Sequence, residues 1–265
     1  MRGRVIYWDV SPDIFSIGPV TIRWYGLLFA ASFIVGYQLM MVIFNKEGRS
    51  EKDLNDLVWY MVIGTVAGAR LGHCLFYSPE YYLSHPLEIL MVWKGGLASH
   101  GAAIAIPLSL YLYIRSRKGF TFLWIMDRVV ITVALSGFFI RMGNLFNSEI
   151  FGKPTDVPWA FVFSIVDGQP RHPTQIYEAL AYLMIFILLL VMYLRSQGKI
   201  REGKLFGIFL ILVFGFRFFV EFIKENQSQF EEGLILNMGQ LLSIPLVLMG
   251  IYILTVKEKK TIKLQ

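Results

Sequence analysis

Long apolar runs separated by short polar segments dominate the pattern of this chain. A helix needs roughly 20 apolar residues to cross a hydrocarbon layer of about 30 Å. Stretches of that kind occur at 20–44, 55–77, 97–115, 122–144, 174–194, 204–224 and 237–256. The pattern predicts an all-α integral membrane protein with about seven transmembrane helices, forming a single polytopic membrane domain over residues 1–265.

Composition excludes most other classes of protein. Of 265 residues, 55% are hydrophobic and 17% are charged, which leaves too few polar side chains to cover a soluble fold. The single cysteine, Cys74, rules out an internal disulfide framework and a cysteine-based metal site. No His, Asp and Glu cluster has the spacing of metal ligands, so we expect neither a metal nor a cofactor.

The distribution of basic residues predicts the orientation. Fourteen Lys and Arg residues flank the spans on one side and five lie on the other, so the net charge of +6 reflects membrane orientation rather than nucleic-acid binding. The positive-inside rule places the N-terminus outside and the C-terminus in the cytoplasm. The two longest connections, 78–96 and 145–173, then form a small extracytoplasmic head. We expect the first span to be retained, because no cleavable signal peptide precedes it.

Ionisable residues inside the spans are candidates for function, since burying them in a bilayer is unfavourable. Arg70, Arg141 and Arg217 interrupt apolar runs, and Glu178 lies early in its span. Glu221 follows Arg217 by four residues, on the same helical face. These residues are either structural ion pairs or, because arginines outnumber nearby carboxylates, a site for an anion such as a lipid phosphate.

Three polar segments on the outward side add further candidates. His100 stands where the third span begins, between Gly96 and Gly101; a lone interfacial His is usually structural, but the glycines and the outward position favour catalysis. A second segment follows the fourth span and contains Asn144, Asn147, Glu149 and Gly152. The third runs from Arg171 to Glu178, where the spacing of Gln175 and Glu178 predicts a hydrogen-bonded network.

Taken together, short strings along nearly the whole chain resemble the prolipoprotein diacylglyceryl transferases, bacterial inner-membrane enzymes. The strings occur in the order of the family at 15–19, 23–26, 68–72, 95–101, 141–152, 172–178, 217–222 and 239–245. Within the family signature, Ile140, Met142 and Ser148 replace the usual Gly, Leu and Gly. We expect these departures to change local packing rather than chemistry.

The resemblance implies a reaction and a set of roles. The family transfers the diacylglyceryl group of phosphatidylglycerol to the thiol of the lipobox cysteine of a prolipoprotein signal peptide, and glycerol phosphate is released. His100 would be the base, and Arg141 and Arg217 would stabilise the phosphate leaving group. Cys74 would not be a nucleophile, because the reactive thiol belongs to the substrate. The expected substrate-binding residues are Tyr25, Arg70, Asn144, Asn147, Glu149, Gly152, Glu178 and Glu221.

Two other functions remain compatible with the residues alone. A transporter or channel for an anionic solute would line its path with the same arginines, although no internal repeat of 20–50 residues supports it. A non-catalytic lipid-binding scaffold would keep the arginines without needing His100. The transferase hypothesis alone requires a chemical product.

Overall fold

The protein is mostly helical. A computed structural model describes residues 5–18, 20–92, 96, 98–117, 119–225, 233 and 235–256. The helices are α1 (Trp24–Lys46), α2 (Glu51–Phe76), α3 (Pro79–Ser84), α4 (Ser99–Ser116), α5 (Phe122–Phe146), α6 (Thr174–Arg195), α7 (Lys204–Val220) and α8 (Met238–Thr255). The strands are β1 (Ile6–Trp8), β2 (Asp13–Ile17), β3 (Val20–Arg23), β4 (Phe161–Phe163) and β5 (Pro170–Arg171).

Five of the described helices are long and apolar enough to cross a membrane: α1, α5, α6, α7 with the 3-10 turn that follows it, and α8. They coincide with five of the seven predicted spans. The predicted spans 55–77 and 97–115 overlap α2 and α4, but α2 begins with charged residues and the apolar part of α4, Ile104–Ser116, is shorter. A multi-pass helical membrane protein is therefore supported, while the number seven stays a prediction.

Short strands are the main departure from the all-α expectation. Residues 20–23 were expected to open the first span, but they form β3, which pairs antiparallel with β2, so α1 starts only at Trp24. The hairpin is closed by an ion pair between Arg23 and Asp13 at 3.0 Å and a hydrogen bond between Ser16 and Thr21 at 3.0 Å. These polar cross-strand pairs favour a strand over an extension of the helix.

Two compact units make up the chain: residues 41–125, and residues 1–40 together with 126–265. In the unit 41–125, α2 packs closely on α4 through glycines. A Cβ on Gly68 would lie 2.2 Å from Ala105 Cβ, and a Cβ on Gly72 would lie 2.7 Å from Gly101 Cα. Gly64, Gly68 and Gly72, which repeat every four residues along α2, therefore allow a close helix contact.

In the other unit, a small sheet covers the C-terminal end of α5. Strand β1 pairs parallel with β4, and β4 pairs antiparallel with β5. Leu145, Phe161 and Phe163 form a buried cluster beneath the sheet, against which Trp8 packs. This sheet fixes the segment that connects α5 to α6.

The last three helices of this unit pack in sequence order. Asp127, buried in α5, accepts hydrogen bonds from the backbone N–H of Gly203 at 2.7 Å and of Phe206 at 2.8 Å. Its carboxylate thereby caps the N-terminus of α7, where backbone donors lack helical partners. Gly207 and Gly250 allow α7 and α8 to approach closely. The C-terminal end of α7 thus lies beside the N-terminal end of α8.

Candidate active site

Most of the predicted site residues meet in the unit formed by 1–40 and 126–265. They come from the C-terminal ends of α5 and α7 and the N-terminal ends of α6 and α8, together with the segment that follows α5. Ionic groups at the ends of α5, α6 and α7, and in the segment that follows α7, form one cluster, which we call the ion-pair cluster: Arg141, Glu178, Arg217, Glu221 and Lys224.

Arg141 is the cation contributed by α5. Its Nη2 lies 3.1 Å from Oε1 of Glu178, and its Nη1 donates to Oδ1 of Asn144 at 3.3 Å. The Tyr182 hydroxyl, one turn beyond Glu178 on α6, also interacts with the guanidinium. Glu178 is fully buried and Arg141 is 14% exposed. Arg141 is therefore held by three side chains from two helices.

Lys224 joins the two carboxylates of the cluster. Its Nζ lies 3.3 Å from Glu178 Oε1 and 3.0 Å from Glu221 Oε1, and the side chain is 3% exposed. Lys224 is the last residue of the predicted span 204–224 and is not among the site residues predicted from the sequence. The feature of the sequence that could have identified Lys224 is its position three residues after Glu221, a spacing at which two side chains can pair.

Arg217 pairs with Glu221, as their spacing predicts. The Nε of Arg217 lies 3.6 Å from Glu221 Oε1, and the arginine side chain is 36% exposed. The other carboxylate oxygen of Glu221 accepts from Asn237 Nδ2 at 3.0 Å. Asn237, which also caps α8, was not selected from sequence, because a capping residue resembles any other helix start. Arg217 is the most exposed cation of the cluster.

The ion-pair cluster holds three cations and two carboxylates, an excess of one positive charge. The Nε atoms of Arg141 and Arg217 are buried and have no hydrogen-bond partner among the described residues. Buried donors normally find acceptors, and an unmet one is unfavourable by about 1–3 kcal/mol. An anionic ligand with several oxygens would match both the charge and the donors.

Glu149 is held beside this cluster by two amides. Its Oε1 accepts from Asn144 Nδ2 at 2.8 Å and from Asn147 Nδ2 at 3.1 Å. Asn144 thus links Glu149 to Arg141. The Tyr25 ring packs on Gly143, where a Cβ would lie 2.7 Å from Tyr25 Cδ2. The structure brings these predicted residues together within one segment and the start of α1.

The turn after α5 has a strained backbone. Ser148 has φ 51° and Ile150 has φ 59°, a region that residues with a Cβ rarely adopt. Ser148 stands where the resembling family usually has glycine, which adopts this conformation freely. The conformation directs Glu149 toward Asn144 and Asn147.

Gly152 lies at a crowded crossing of three backbone segments. Its N–H donates to the carbonyl of His172 at 2.8 Å, and it forms an antiparallel bridge with Lys224. A Cβ on Gly152 would lie 2.6 Å from His172 Cβ and 2.7 Å from the Ile223 carbonyl oxygen. Glycine is therefore required by packing here, and the bridge fixes the backbone of Lys224.

A second polar group lies outside the spans. Arg171 pairs with Asp167 at 2.5 Å and with Glu225 at 2.7 Å, and its hydrogen bond lowers the pKa of the Asp167 carboxyl. His172 Nδ1 lies 3.3 Å from the Tyr177 hydroxyl, and burial lowers the pKa of this histidine. These contacts tie the connection to the N-terminus of α6.

Arg70 and Cys74 belong to the unit 41–125. Arg70 is 2% exposed and donates to the carbonyls of Ile89 at 3.0 Å and Glu88 at 2.5 Å, while its guanidinium lies 5.0 Å from the Tyr82 ring. The described contacts of Arg70 anchor the connection 78–96. Cys74 is 1% exposed.

His100, the predicted base, is only partly described. Its backbone lies in the first turn of α4, and its side chain falls outside the described residues. The next residue, Gly101, contacts the Gly68 and Gly72 backbone of α2. Among the described residues, no group of three or more His, Cys, Asp or Glu side chains is placed to hold a metal ion.

Fold and site together define a multi-pass helical membrane protein with a buried, cation-rich site at one end of its helices. The family model for prolipoprotein diacylglyceryl transferase matches residues 12–256. The phosphatidylglycerol–prolipoprotein diacylglyceryl transferase of Chloroherpeton thalassium is 50% identical, over 94% of this chain and 93% of that protein.

Two further relatives carry the same name. That of Tolumonas auensis is 47% identical over 97% of this chain and 99% of its own length. That of Bacteroides fragilis is 43% identical over 96% of each chain. The chain belongs to the prolipoprotein diacylglyceryl transferase family, and the resemblance inferred from short strings is confirmed.

Proposed function

We propose that this protein transfers the diacylglyceryl group of phosphatidylglycerol to the thiol of a lipobox cysteine in a prolipoprotein, the first step of lipoprotein maturation. Glycerol phosphate is the second product. The observation that carries the proposal is the ion-pair cluster, with its excess of cations over carboxylates and two buried arginine Nε atoms that have no hydrogen-bond partner among the described residues. Family membership supplies the reaction class.

The chemistry gives the arginines a role that grows during the reaction. The phosphate of phosphatidylglycerol carries one negative charge as a diester and up to two as the departing monoester. Cations beside it therefore stabilise the transition state more than the bound substrate, which accelerates the chemical step. We assign this role to Arg141 and Arg217, and assign Asn144, Asn147 and Glu149 to orienting Arg141 and the headgroup.

The attacking thiol needs a base, and His100 is our candidate. A neutral imidazole at the outer end of a span would accept the thiol proton as the thiolate attacks the glycerol carbon. The close contact of Gly101 with α2 supports a fixed backbone at this position. The assignment of His100 as the base rests on the sequence, where it stands between glycines at the start of the third span.

The other predicted binding residues have supporting roles in this proposal. Tyr25 would contact the headgroup from the start of α1. Glu178 and Glu221 would orient the arginines, and Gly152 would allow the backbone crossing that fixes Lys224. For Arg70, the hydrogen bonds to backbone carbonyls favour an anchoring role over direct contact with the phosphate.

The membrane arrangement proposed here follows the basic residues. Residues 1–265 would form one polytopic domain of seven spans in the bacterial inner membrane, with the N-terminus outside and the C-terminus in the cytoplasm. The connections 78–96 and 145–173, and with them the site, would then face the extracytoplasmic side. The outer leaflet would supply phosphatidylglycerol, and the prolipoprotein would present its cysteine at the same surface.

The direct test is mass spectrometry of a lipobox peptide incubated with the purified protein and phosphatidylglycerol. We expect a diacylglyceryl mass gain on the cysteine peptide, release of glycerol phosphate, and no gain on a Cys→Ser peptide. Arg141→Ala and His100→Ala should each reduce turnover by about a hundredfold or more. Cys74→Ala is the matched control and should remain active.

Two results would reject the proposal. An unmodified peptide, with the Tolumonas auensis relative active in parallel, would favour a lipid-binding scaffold or a transporter. Near-normal turnover of His100→Gln would remove histidine as the base. A transporter would instead show solute flux in vesicles without a chemical product.

A further inference from the structure

We propose that Lys224 is a positioning residue of this site: it binds Glu178 and Glu221 and thereby frees Arg141 and Arg217 to bind a phosphate. The proposal rests on the function proposed above and adds a residue that the sequence did not indicate. Lys224 is buried and bonded to two carboxylates, so it acts through them rather than on the substrate.

Contact geometry supports the first part of the proposal. Oε1 of Glu178 is shared by Arg141 and Lys224 at 3.1 and 3.3 Å, and Oε1 of Glu221 is shared by Arg217 and Lys224 at 3.6 and 3.0 Å. Each carboxylate that faces a proposed phosphate-binding arginine is thus partly neutralised by the same ammonium group. Without it, each arginine would be its carboxylate's main cationic partner.

Charge balance supports the second part. With Lys224 the ion-pair cluster has three cations and two carboxylates, and without it the cluster would be neutral. Lys224 therefore adds one positive charge around the two arginines, next to the Glu149 carboxylate that Asn144 and Asn147 hold beside the cluster, and this favours binding of a phosphodiester. Because the charges are largely buried, their interactions are weakly screened by solvent, so the loss of one cation reaches the bound phosphate.

The backbone around Lys224 is fixed in a way that suits this role. Gly152 bridges to Lys224, the Lys153 N–H donates to the Ile223 carbonyl at 2.8 Å, and the Glu225 N–H donates to the Phe151 carbonyl at 3.3 Å. The segment after α5 therefore holds the segment after α7 on both sides of the lysine. A rigid backbone restricts where the ammonium group can lie.

The test compares Lys224→Met, Lys224→Arg and the double variant Lys224→Met/Glu178→Gln in the peptide assay. Lys224→Met should lower kcat/KM by about tenfold or more, with KM for phosphatidylglycerol raised and kcat lowered, because the phosphate gains charge on leaving. Lys224→Arg keeps the charge and should recover most of the loss. The double variant restores the excess charge of one and should exceed Lys224→Met.

Lys153→Met is the matched control. Lys153 lies in the same region, is exposed, and donates to the Phe222 carbonyl at 3.0 Å, so its loss should change kcat/KM by less than about twofold. Variants are compared only as monodisperse protein in detergent. A double variant worse than Lys224→Met would show that the lysine is merely structural and would overturn the proposal.

Failure of this proposal and failure of the proposed function give different results. If the wild type modifies the peptide and Lys224→Met matches it, the transferase function stands and the role of Lys224 is rejected. If the wild type is inactive beside an active relative, the transferase function fails. Thermal stabilisation by phosphatidylglycerol micelles then tests Lys224 alone: a smaller shift in Lys224→Met than in Lys153→Met supports its role, and equal shifts reject it.

Discussion

Asn144 donates a hydrogen bond from Nδ2 to Oε1 of Glu149 at 2.8 Å, while its Oδ1 accepts from Arg141 at 3.3 Å. An amide can do both, because it offers a donor and an acceptor on one planar group. The contact places a carboxylate near a catalytic candidate without pairing the two directly. Asn144 therefore stands between the Glu149 carboxylate and the Arg141 guanidinium.

This arrangement predicts a difference between two asparagines. Asn144→Asp replaces the donor by a second carboxylate facing Glu149 and would give Arg141 a second ion pair besides that with Glu178, so turnover should fall by about a hundredfold. Asn147→Asp removes the 3.1 Å bond to Glu149 but leaves Arg141 untouched, and should reduce turnover less. Rates measured in the peptide assay decide the matter. Equal losses in the two variants would contradict the linking role of Asn144.

A second prediction concerns the strained turn after α5. Ser148 has φ 51° and a buried hydroxyl without a partner among the described residues, so Ser148→Gly relieves both penalties and should stabilise the protein by about 1 kcal/mol. Ser196→Gly is the control. Ser196 has φ −75° and its hydroxyl donates to the Tyr193 carbonyl, so replacing it by glycine should lower the stability of the protein. Thermal unfolding in detergent measures both. A lower Tm for Ser148→Gly would show that the serine is not strained.

Local signals explain what the sequence could predict. The predicted spans 122–144 and 174–194 match α5 and α6 within two residues at each end, because a long apolar run is itself the signal. The pairing of Arg217 with Glu221 likewise follows from their spacing on one helix. Features set within one element were accessible from the sequence.

Contacts between distant elements were not accessible. Strands β1 and β4 are short and pair across a long stretch of chain, so neither carries a recognisable alternation of its own. The contact of Lys224 with Glu178 joins two elements whose neighbourhood depends on the packing of α6 and α7. The contacts of Arg70 could not be predicted either, because the carbonyls that it binds belong to a connection without a periodic hydrophobic pattern.

A third prediction tests the glycine contact of the unit 41–125. Gly68→Val places side-chain atoms where Ala105 Cβ and the Gly101 carbonyl lie, 2.2 and 2.7 Å from the new Cβ, so α2 and α4 must separate. We expect a large loss of monodisperse protein on size-exclusion chromatography in detergent. Gly215→Ala is the matched control, because no atom lies within 4 Å of a Cβ there, and its yield should equal that of the wild type. Normal yield of Gly68→Val would show that the two helices need no glycine contact.

The last prediction uses His172, which lies outside the spans. Trp159 Nε1 donates to the Tyr177 hydroxyl at 2.7 Å, and this hydroxyl lies 3.3 Å from His172 Nδ1, to which it can donate when the imidazole is neutral. Burial also lowers the pKa of His172, so protonation favours the unfolded state. The stability contribution is complete above the unfolded pKa of about 6.5 and is lost as pH falls through the lower, folded pKa.

Lowering the pH from about 7.5 to about 5.5 should therefore lower the Tm of the wild type more than that of His172→Gln, whose glutamine cannot be protonated in this range. Thermal unfolding at the two pH values measures the difference. His85→Gln serves as the control, because His85 is exposed and its ring contacts only neighbouring residues of its own connection among the described partners. Its Tm should fall with pH as the wild type does. If His172→Gln also loses Tm to the same extent as the wild type, acid destabilisation arises elsewhere, and the neutral contact of His172 with Tyr177 does not contribute to folding.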